Sequence, residues 1–179
     1  MRFPTTTGQI PGYNQEQVDV LFERLHKQYL NPELRLLNSD LLGVVKFDLD
    51  PGGYQIPAVD QALAKLAETL LERETAGKVR SSGKEQVAAE LASNLRAIKQ
   101  VLDLGPDKSF SRIKGGYRRS QVKSLLKKID VRRGEITAPE TYELRIASFS
   151  RSSSGYDRTE VDEFLGRVIK AVHHLRALS

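Results

Sequence analysis

The sequence predicts an all-α fold made of four tandem units, each consisting of a short helix, a loop and an amphipathic helix. A Gly-Tyr pair, followed by a Val five residues after the Tyr, occurs four times, at Gly12-Tyr13, Gly53-Tyr54, Gly116-Tyr117 and Gly155-Tyr156. Apolar residues recur three, four and seven positions after each Val, which is the spacing of one helix face. Strand signals are weak by comparison. Repetition of this kind indicates one structural unit used several times.

The composition favours a soluble, rather polar chain. The 179 residues are 39% hydrophobic and 28% charged, and they include no cysteine. No apolar run approaches the roughly 18 to 20 residues that cross a bilayer, and no leader marks the chain for export. The absence of cysteine excludes disulfides, thiolate metal sites and cysteine nucleophiles. We therefore expect a cytoplasmic protein.

An aromatic residue opens each unit. Phe47, Phe110 and Phe149 lie seven residues before their Tyr, whereas Phe3 lies ten residues before Tyr13. We interpret these aromatic residues, together with the repeated Tyr and Val, as structural anchors of the loop and helix rather than as ligand contacts. The repeat-defining residues are Tyr13, Val18, Phe47, Tyr54, Val59, Phe110, Tyr117, Val122, Phe149, Tyr156 and Val161.

Local signals indicate where the helices begin. Asp157 with Glu160 matches a capping box, and Asn14 with Gln17 is a weaker version of it. Pro57 suits a first helical turn, where its missing N–H costs nothing. Arg118 stands where the third unit needs a cap, so we expect that helix to start less firmly.

The interval between the second and third Tyr is the longest, and it predicts a division into two halves. We assign units one and two to residues 1–74, a polar linker to 75–82, a connecting helix to 83–104, and units three and four to 105–179. The connecting helix has an apolar face formed by Val87, Leu91, Leu95, Ile98 and Leu102.

The fourth unit carries a family resemblance. Its sequence from Phe149 to Val168, FSRSSSGYDRTEVDEFLGRV, resembles the N-terminal domain of the DivIVA family of bacterial cell-division and polar-growth scaffolds, and the chain as a whole resembles tandem DivIVA-domain repeat proteins. The resemblance implies a non-enzymatic interaction or adaptor module, peripheral at the inner face of the cell membrane, with partners in the division or growth machinery. Family domains pair between chains and continue into a coiled coil, but this chain shows no sustained heptad run.

Pairing within the chain follows as an expectation. Since the family domain pairs between chains, we expect units one and two, and units three and four, to pair as two pseudo-dimers. The product is a monomer with internal repeat pairing or a small homo-oligomer. The family's membrane wedge corresponds to Ile10, Pro51, Lys114 and Ser153, of which only Ile10 could insert.

Positive charge is concentrated in the third unit. The chain carries a formal net charge of +5, and most of it lies between Gly105 and Gly134. Lys123 stands where the other units have Asp19, Asp60 and Asp162. This segment could bind an anionic surface, acidic lipid or nucleic acid, or it could be a solvated helix face. Interleaved aromatic residues are few, which argues against nucleic acid. The candidate anion-binding residues are Lys114, Arg118, Arg119, Lys127, Lys128, Arg132 and Arg133.

No set of residues predicts catalysis, a metal site or a cofactor. A general base, a nucleophile and oxyanion donors cannot be assembled from the pattern. His26, His173 and His174 are interpreted as structural, because adjacent histidines point to different helix faces. The serines of the 148–154 loop surround Arg151 and could accept phosphate, with a flexible polar loop as the alternative.

Overall fold

The computed structural model describes residues 2–31, 33–34, 37–42 and 45–179. The chain divides into two compact parts, an N-terminal lobe of residues 1–71 and a C-terminal lobe of residues 72–179. Most of it is helical, which confirms the coarse part of the predicted fold class. The purely α class needs correction, because the described part also contains eight short strands in three antiparallel sheets. The Gly-Tyr pairs lie on or beside these strands rather than in free loops.

The N-terminal lobe has two long helical segments that share one core, and one small sheet. Its elements are β1 (Pro11–Tyr13), α1 (Gln15–Leu30), α2 (Ser39–Leu42), β2 (Leu49–Pro51) and the first part of α3 (Ile56–Leu104). Strand β1 pairs antiparallel with β2. The core takes the predicted helix faces and consists of Val18, Phe22, Leu25, Leu42, Tyr54, Val59, Leu63 and Ala67.

The C-terminal lobe contains the rest of α3 and the remaining elements. These are α4 (Pro106–Ser109), β3 (Arg112–Ile113), β4 (Gly116–Tyr117), α5 (Arg119–Leu126), β5 (Asp130–Arg132), β6 (Glu135–Thr137), α6 (Thr141–Arg145), β7 (Arg151–Ser152), β8 (Gly155–Tyr156) and α7 (Arg158–Leu178). Four strands form one sheet in the order β3-β8-β4-β7, and β5 with β6 forms a hairpin. Val122 and Val161 are fully buried, like their counterparts Val18 and Val59.

The predicted helix starts at Asn14 and Asp157 are confirmed, but the capping box is only half formed. The Asp157 N–H donates to the Ser111 carbonyl oxygen, and the Glu160 carboxylate accepts from Ser111 instead of reaching back. The side chain of Asn14 accepts a hydrogen bond from the Gln17 N–H at 2.9 Å, and that of Asp157 accepts from the Glu160 N–H at 3.2 Å. Arg118 makes no side-chain capping bond, and the α5 helix that follows is only 8 residues long. A helix without a cap leaves its first N–H groups to water, which costs about 1 kcal/mol relative to a capped start.

Helix α5, the amphipathic helix of the third repeat unit, is shorter than its apolar spacing predicts. Ile129 is buried, but it lies beyond the end of α5, and the chain continues into the β5–β6 hairpin. Val131 and Ile136 face each other across the hairpin, and the two-residue turn at Arg133 and Gly134 has positive φ at both positions. Alternating apolar residues around a turn ending in Gly are a hairpin signal that the helical pattern conceals.

The predicted linker at 75–82 is helical, so that expectation is wrong. Helix α3 runs through it and departs from helical geometry at Gly83, which has φ 85° and ψ 160°. A side chain at this φ would be strained, so the break falls on the glycine rather than on the polar run before it. Beyond the break, the connecting helix forms as predicted, with Val87, Leu91, Leu95 and Ile98 buried.

Within each lobe, the glycines of the two Gly-Tyr pairs meet backbone to backbone. A Cβ added to Gly12 would lie 2.5 Å from the Tyr54 carbonyl oxygen, and one added to Gly116 would lie 2.7 Å from the Gly155 carbonyl carbon. Real Cβ atoms do not approach backbone this closely. Gly53 and Gly155 meet the same limit from the other side. The four glycines therefore belong to a steric requirement of the fold.

Replacing one of these glycines should destabilise the protein strongly. We expect Gly116→Ala to lower the free energy of unfolding by at least about 2 kcal/mol, because facing backbone must move to admit the methyl group. Urea unfolding followed by circular dichroism measures this loss.

Gly166 provides the matched control. It lies inside α7, and a Cβ there would meet nothing within 4 Å. Gly166→Ala should leave the protein as stable or raise the unfolding free energy by up to about 1 kcal/mol, because alanine favours the helix. Equal unfolding midpoints for Gly116→Ala and Gly166→Ala would contradict the steric requirement.

Candidate interaction site

Two junctions bring the Gly-Tyr segments together in pairs. Junction 1 joins Tyr13 and Tyr54 in the N-terminal lobe, and junction 2 joins Tyr117 and Tyr156 in the C-terminal lobe. In junction 1 the Tyr13 N–H donates to the Tyr54 carbonyl oxygen and the Tyr54 N–H donates to the Tyr13 carbonyl oxygen, both at 2.8 Å. Each junction is therefore a reciprocal contact between two equivalent stretches of sequence.

The aromatic residues cross between the segments of each junction. The Phe47 ring packs on Tyr13 with centroids 5.0 Å apart, and the Phe3 ring packs on Tyr54 at 5.4 Å. Junction 2 repeats this arrangement, with Phe149 on Tyr117 at 5.0 Å and Phe110 on Tyr156 at 5.5 Å. Every repeated Phe thus packs on the Tyr of the other segment. Tilted and edge contacts of this kind add about 0.5–1.5 kcal/mol each beyond area burial.

The tyrosine hydroxyls also cross, to aspartates one residue after the repeated Val. Tyr13 donates to Asp60 at 3.1 Å, Tyr54 donates to Asp19 at 3.2 Å, and Tyr117 donates to Asp162 at 3.1 Å. Burial and the neighbouring Asp60 carboxylate raise the pKa of Tyr13 to about 12. Burial likewise raises the pKa of Asp60, while the Tyr13 hydrogen bond opposes it.

The fourth hydroxyl finds a different acceptor, because Lys123 occupies the equivalent aspartate position. Tyr156 donates to Asp107 of α4 at 2.7 Å, and Lys123 forms an ion pair with the same carboxylate. Arg112 and Arg119 lie 3.3 and 3.5 Å from it. Hydrogen bonds from Lys123 and Tyr156 hold the pKa of Asp107 well below its usual range. Asp107 thus supplies the acceptor that Lys123 lacks.

A second polar contact closes three of the four segments. The side-chain oxygens of Gln17, Gln121 and Glu160 accept from the backbone N–H groups of Asp48, Ser150 and Ser111, at 2.9, 2.7 and 2.6 Å. Each donor follows a repeated Phe of the opposite segment. In the fourth case the corresponding residues are Ala58 and Pro4. Proline has no N–H to offer, so an acceptor at position 58 would have no donor there.

The predicted wedge residue Ile10 lies at the outer end of junction 1. Its side chain is 58% exposed, and Leu49 of the paired strand β2 is 53% exposed. Pro51, Lys114 and Ser153, at the corresponding positions, are exposed as well. Among the described residues no helix is both long enough and apolar enough to span a membrane.

The predicted anion-binding residues fall into two groups. Arg119 is half-buried beside Asp107, and Arg132 pairs with Asp130 at 2.6 Å. The other five are exposed, and within the described part of the chain no ion pair or side-chain hydrogen bond engages them. We call these five the basic set: Lys114, Arg118, Lys127, Lys128 and Arg133.

Two of the three histidines lie in the interior of the C-terminal lobe. His173 is 2% exposed and His174 is 7% exposed, whereas His26 is on the surface. Burial, with the positive charges of Arg176 and Arg145, lowers the pKa of His173 to about 4, so it is neutral at physiological pH. No group of three or more potential metal ligands occurs in the ranges that the structure describes.

The repeated pattern predicts the Tyr, Phe and Val anchors but not the acceptors of the tyrosine hydroxyls. Asp19, Asp60 and Asp162 stood out only as charges that Lys123 replaces, and Asp107 carried no signal because it lies outside the repeated pattern. The recurrence of an aspartate directly after three of the four repeated Val residues was the available clue. No protein-family model, curated protein or solved structure matches this chain.

Burial of the Tyr13 hydroxyl, together with its contact with Asp60, predicts a loss of stability at alkaline pH. A Tyr with a raised pKa stabilises the fold fully below pH 10, where it is protonated in both states, and this contribution is lost as the pH rises towards about 12. We expect Tyr13→Phe to cost about 1 kcal/mol at pH 8 and to reduce the fall in unfolding free energy between pH 10 and 12.

Urea unfolding at a series of pH values tests this expectation. Tyr29→Phe is the matched control, because Tyr29 is 58% exposed and belongs to neither junction. An unchanged alkaline fall in Tyr13→Phe would contradict a role for its hydroxyl.

Proposed function

We propose that this chain is a non-enzymatic interaction or adaptor module built from four DivIVA-like units and associated with bacterial cell division or polar growth at the cytoplasmic membrane. The observation that supports it most is the reciprocal pairing of the Gly-Tyr segments. Because the paired segments contact each other through their inner faces, their outer surfaces are left to bind partners. The sequence resemblance of residues 149–168 supplies the cellular setting.

Within this proposal the two junctions act as pseudo-dimers inside one chain. The Tyr13–Tyr54 and Tyr117–Tyr156 contacts each use two segments of the same polypeptide. Pairing sites that would otherwise recruit a second chain are already occupied. The protein is then a monomer with internal repeat pairing, and it contacts division or growth proteins through surfaces outside the junctions.

Localisation in growing bacterial cells tests the adaptor role. A fluorescent fusion of the whole chain should concentrate at division septa or growing poles. Gly116→Ala should abolish this pattern because it disrupts junction 2, and Gly166→Ala should preserve it. Diffuse fluorescence of the unaltered fusion, at normal expression and with an intact fold, would refute the proposed setting.

A second function, binding of an anionic surface, is favoured by the basic set. Five exposed cations without described partners lie between residues 114 and 133, in a chain whose formal net charge is +5. Each Lys or Arg close to an anionic leaflet contributes about 1 kcal/mol, and the attraction decays within a Debye length. Acidic lipid is the preferred surface, because nucleic acid would need aromatic side chains for stacking. Phe110 and Tyr117 are the only aromatic residues between Gly105 and Gly134, and both are engaged in junction 2.

Vesicle sedimentation distinguishes the two functions. Under the second function, replacing Arg118, Lys127, Lys128 and Arg133 by Gln should reduce affinity for vesicles rich in anionic lipid by at least about tenfold at physiological salt. Under the adaptor function alone, the same variant should still localise in cells.

The control must remove equal charge elsewhere. Lys65, Arg80, Lys84 and Arg96 are exposed on α3, and their replacement by Gln makes the same change in net charge. This control variant should bind anionic vesicles nearly as well as the unaltered chain. Equal weakening by both variants would show attraction by net charge rather than by the basic set, and binding to neutral vesicles would contradict an electrostatic contact.

A further inference from the structure

The turn between β7 and β8 presents two serines at the end of junction 2. Ser153 and Ser154 connect Arg151–Ser152 to Gly155–Tyr156, and both are exposed. Within the described residues neither hydroxyl takes part in a hydrogen bond, whereas Ser111 and Ser150 nearby are engaged by Glu160 and Gln121. Both turn hydroxyls are therefore accessible to a reagent from solution.

The register of the flanking strands indicates that Ser154 lies opposite Lys114. The last pair of β3 and β8 is Ile113 with Gly155, and both segments then enter turns. Extended by one position, this register puts Lys114 opposite Ser154. Strand β4 pairs with β7 through Gly116 and Ser152, and the Gly115 N–H donates to the Ser152 carbonyl oxygen at 2.9 Å. Continued in the same register, that ladder also leads to Lys114 and Ser154. The two turns thus occupy the same end of junction 2.

Two cations on these strands and turns carry no described ion pair. Lys114 and Arg151 are exposed, and no described ion pair engages either of them. Arg112, on the adjoining strand, shares Asp107 with three other donors. A phosphate carries about two negative charges at neutral pH and three acceptor oxygens, so it suits a position facing such cations.

We propose that Ser154 is a phosphorylation site whose phosphate pairs with Lys114 and weakens the attraction of the basic set to anionic surfaces. In the modification, Ser154 Oγ attacks the γ-phosphorus of a nucleoside triphosphate held by a separate protein kinase. The new Oγ–phosphorus bond replaces the bond to the β,γ-bridging oxygen. The nucleoside diphosphate leaves, and the hydroxyl proton passes to a base of the kinase.

The regulatory part rests on the second proposed function, binding of an anionic surface. One phosphate offsets about two of the positive charges at this end of the junction. Because Lys114 belongs to the basic set and the extended register puts Ser154 opposite it, the charge change falls on the surface that would contact the lipid. Phosphorylation should therefore release the protein from an anionic surface, in the manner of an electrostatic switch.

A titration of the phosphate tests the site without reference to membranes. Phosphoserine is installed during translation at position 154, and in a matched control at Ser148, which is exposed but lies outside the paired strands. Followed by phosphorus NMR, the phosphate at 154 should titrate at lower pH than that at 148, because Lys114 favours the dianion. Lys114→Gln should remove the difference. Identical titrations in all three proteins would overturn the pairing.

Accessibility to a kinase is measured on the folded chain. A kinase that prefers basic substrates, with ATP, should modify Ser154, as mapped by mass spectrometry, and Ser154→Ala should eliminate that product. Modification confined to the urea-unfolded chain would overturn the assignment of an accessible site.

Vesicle sedimentation then tests the regulation. Protein with phosphoserine at 154 should bind anionic vesicles about tenfold more weakly than the unmodified chain, and the protein modified at 148 should lose less. Equal binding of the unmodified and 154-modified chains would refute the switch. Failure of the unmodified chain to bind vesicles would refute the anionic-surface function itself, while the phosphate titration still decides the site.

Discussion

The contact on which the rest of the structure depends is the meeting of two glycines at each junction. Only without side chains at Gly12 and Gly53, or at Gly116 and Gly155, can the two backbones lie at this distance. That approach sets the Tyr13 and Tyr54 backbone groups in reciprocal hydrogen bonds. The rings and hydroxyls of both residues are thereby directed onto the opposite segment. The Phe–Tyr packing and the Tyr–Asp bonds follow from the close backbone approach.

Departures from the repeat are compensated at the contacts they affect. Lys123 removes an acceptor from the Tyr156 hydroxyl, and Asp107 replaces it from a helix outside the repeated pattern while pairing with Lys123. Ala58 removes the acceptor for a backbone N–H, and the residue it would face, Pro4, has none. Since an unsatisfied buried donor or acceptor costs about 1–3 kcal/mol, an uncompensated change at either place would weaken its junction.

Much of the helical architecture could be predicted from the sequence, because apolar spacing and capping residues act locally. Val18, Val59, Val122 and Val161 mark buried helix faces for this reason. The strands could not be found in this way. Two or three residues are too few to show alternation, and they are strands only because a distant segment pairs with them. The same holds for Asp107, whose role depends on Lys123 and Tyr156 being brought to it by the fold.

Pairing inside one chain also explains how the segments can differ in charge. In a dimer of identical chains, every substitution appears on both sides of a two-fold contact. A lysine at the aspartate position would then remove the acceptor from both tyrosine hydroxyls at once. In junction 2 only one side carries Lys123, and the other keeps Asp162 bonded to Tyr117. A tandem chain can therefore place cations on one segment and retain an intact hydroxyl–carboxylate contact on the other, which permits an asymmetric charged surface on a nearly symmetric junction.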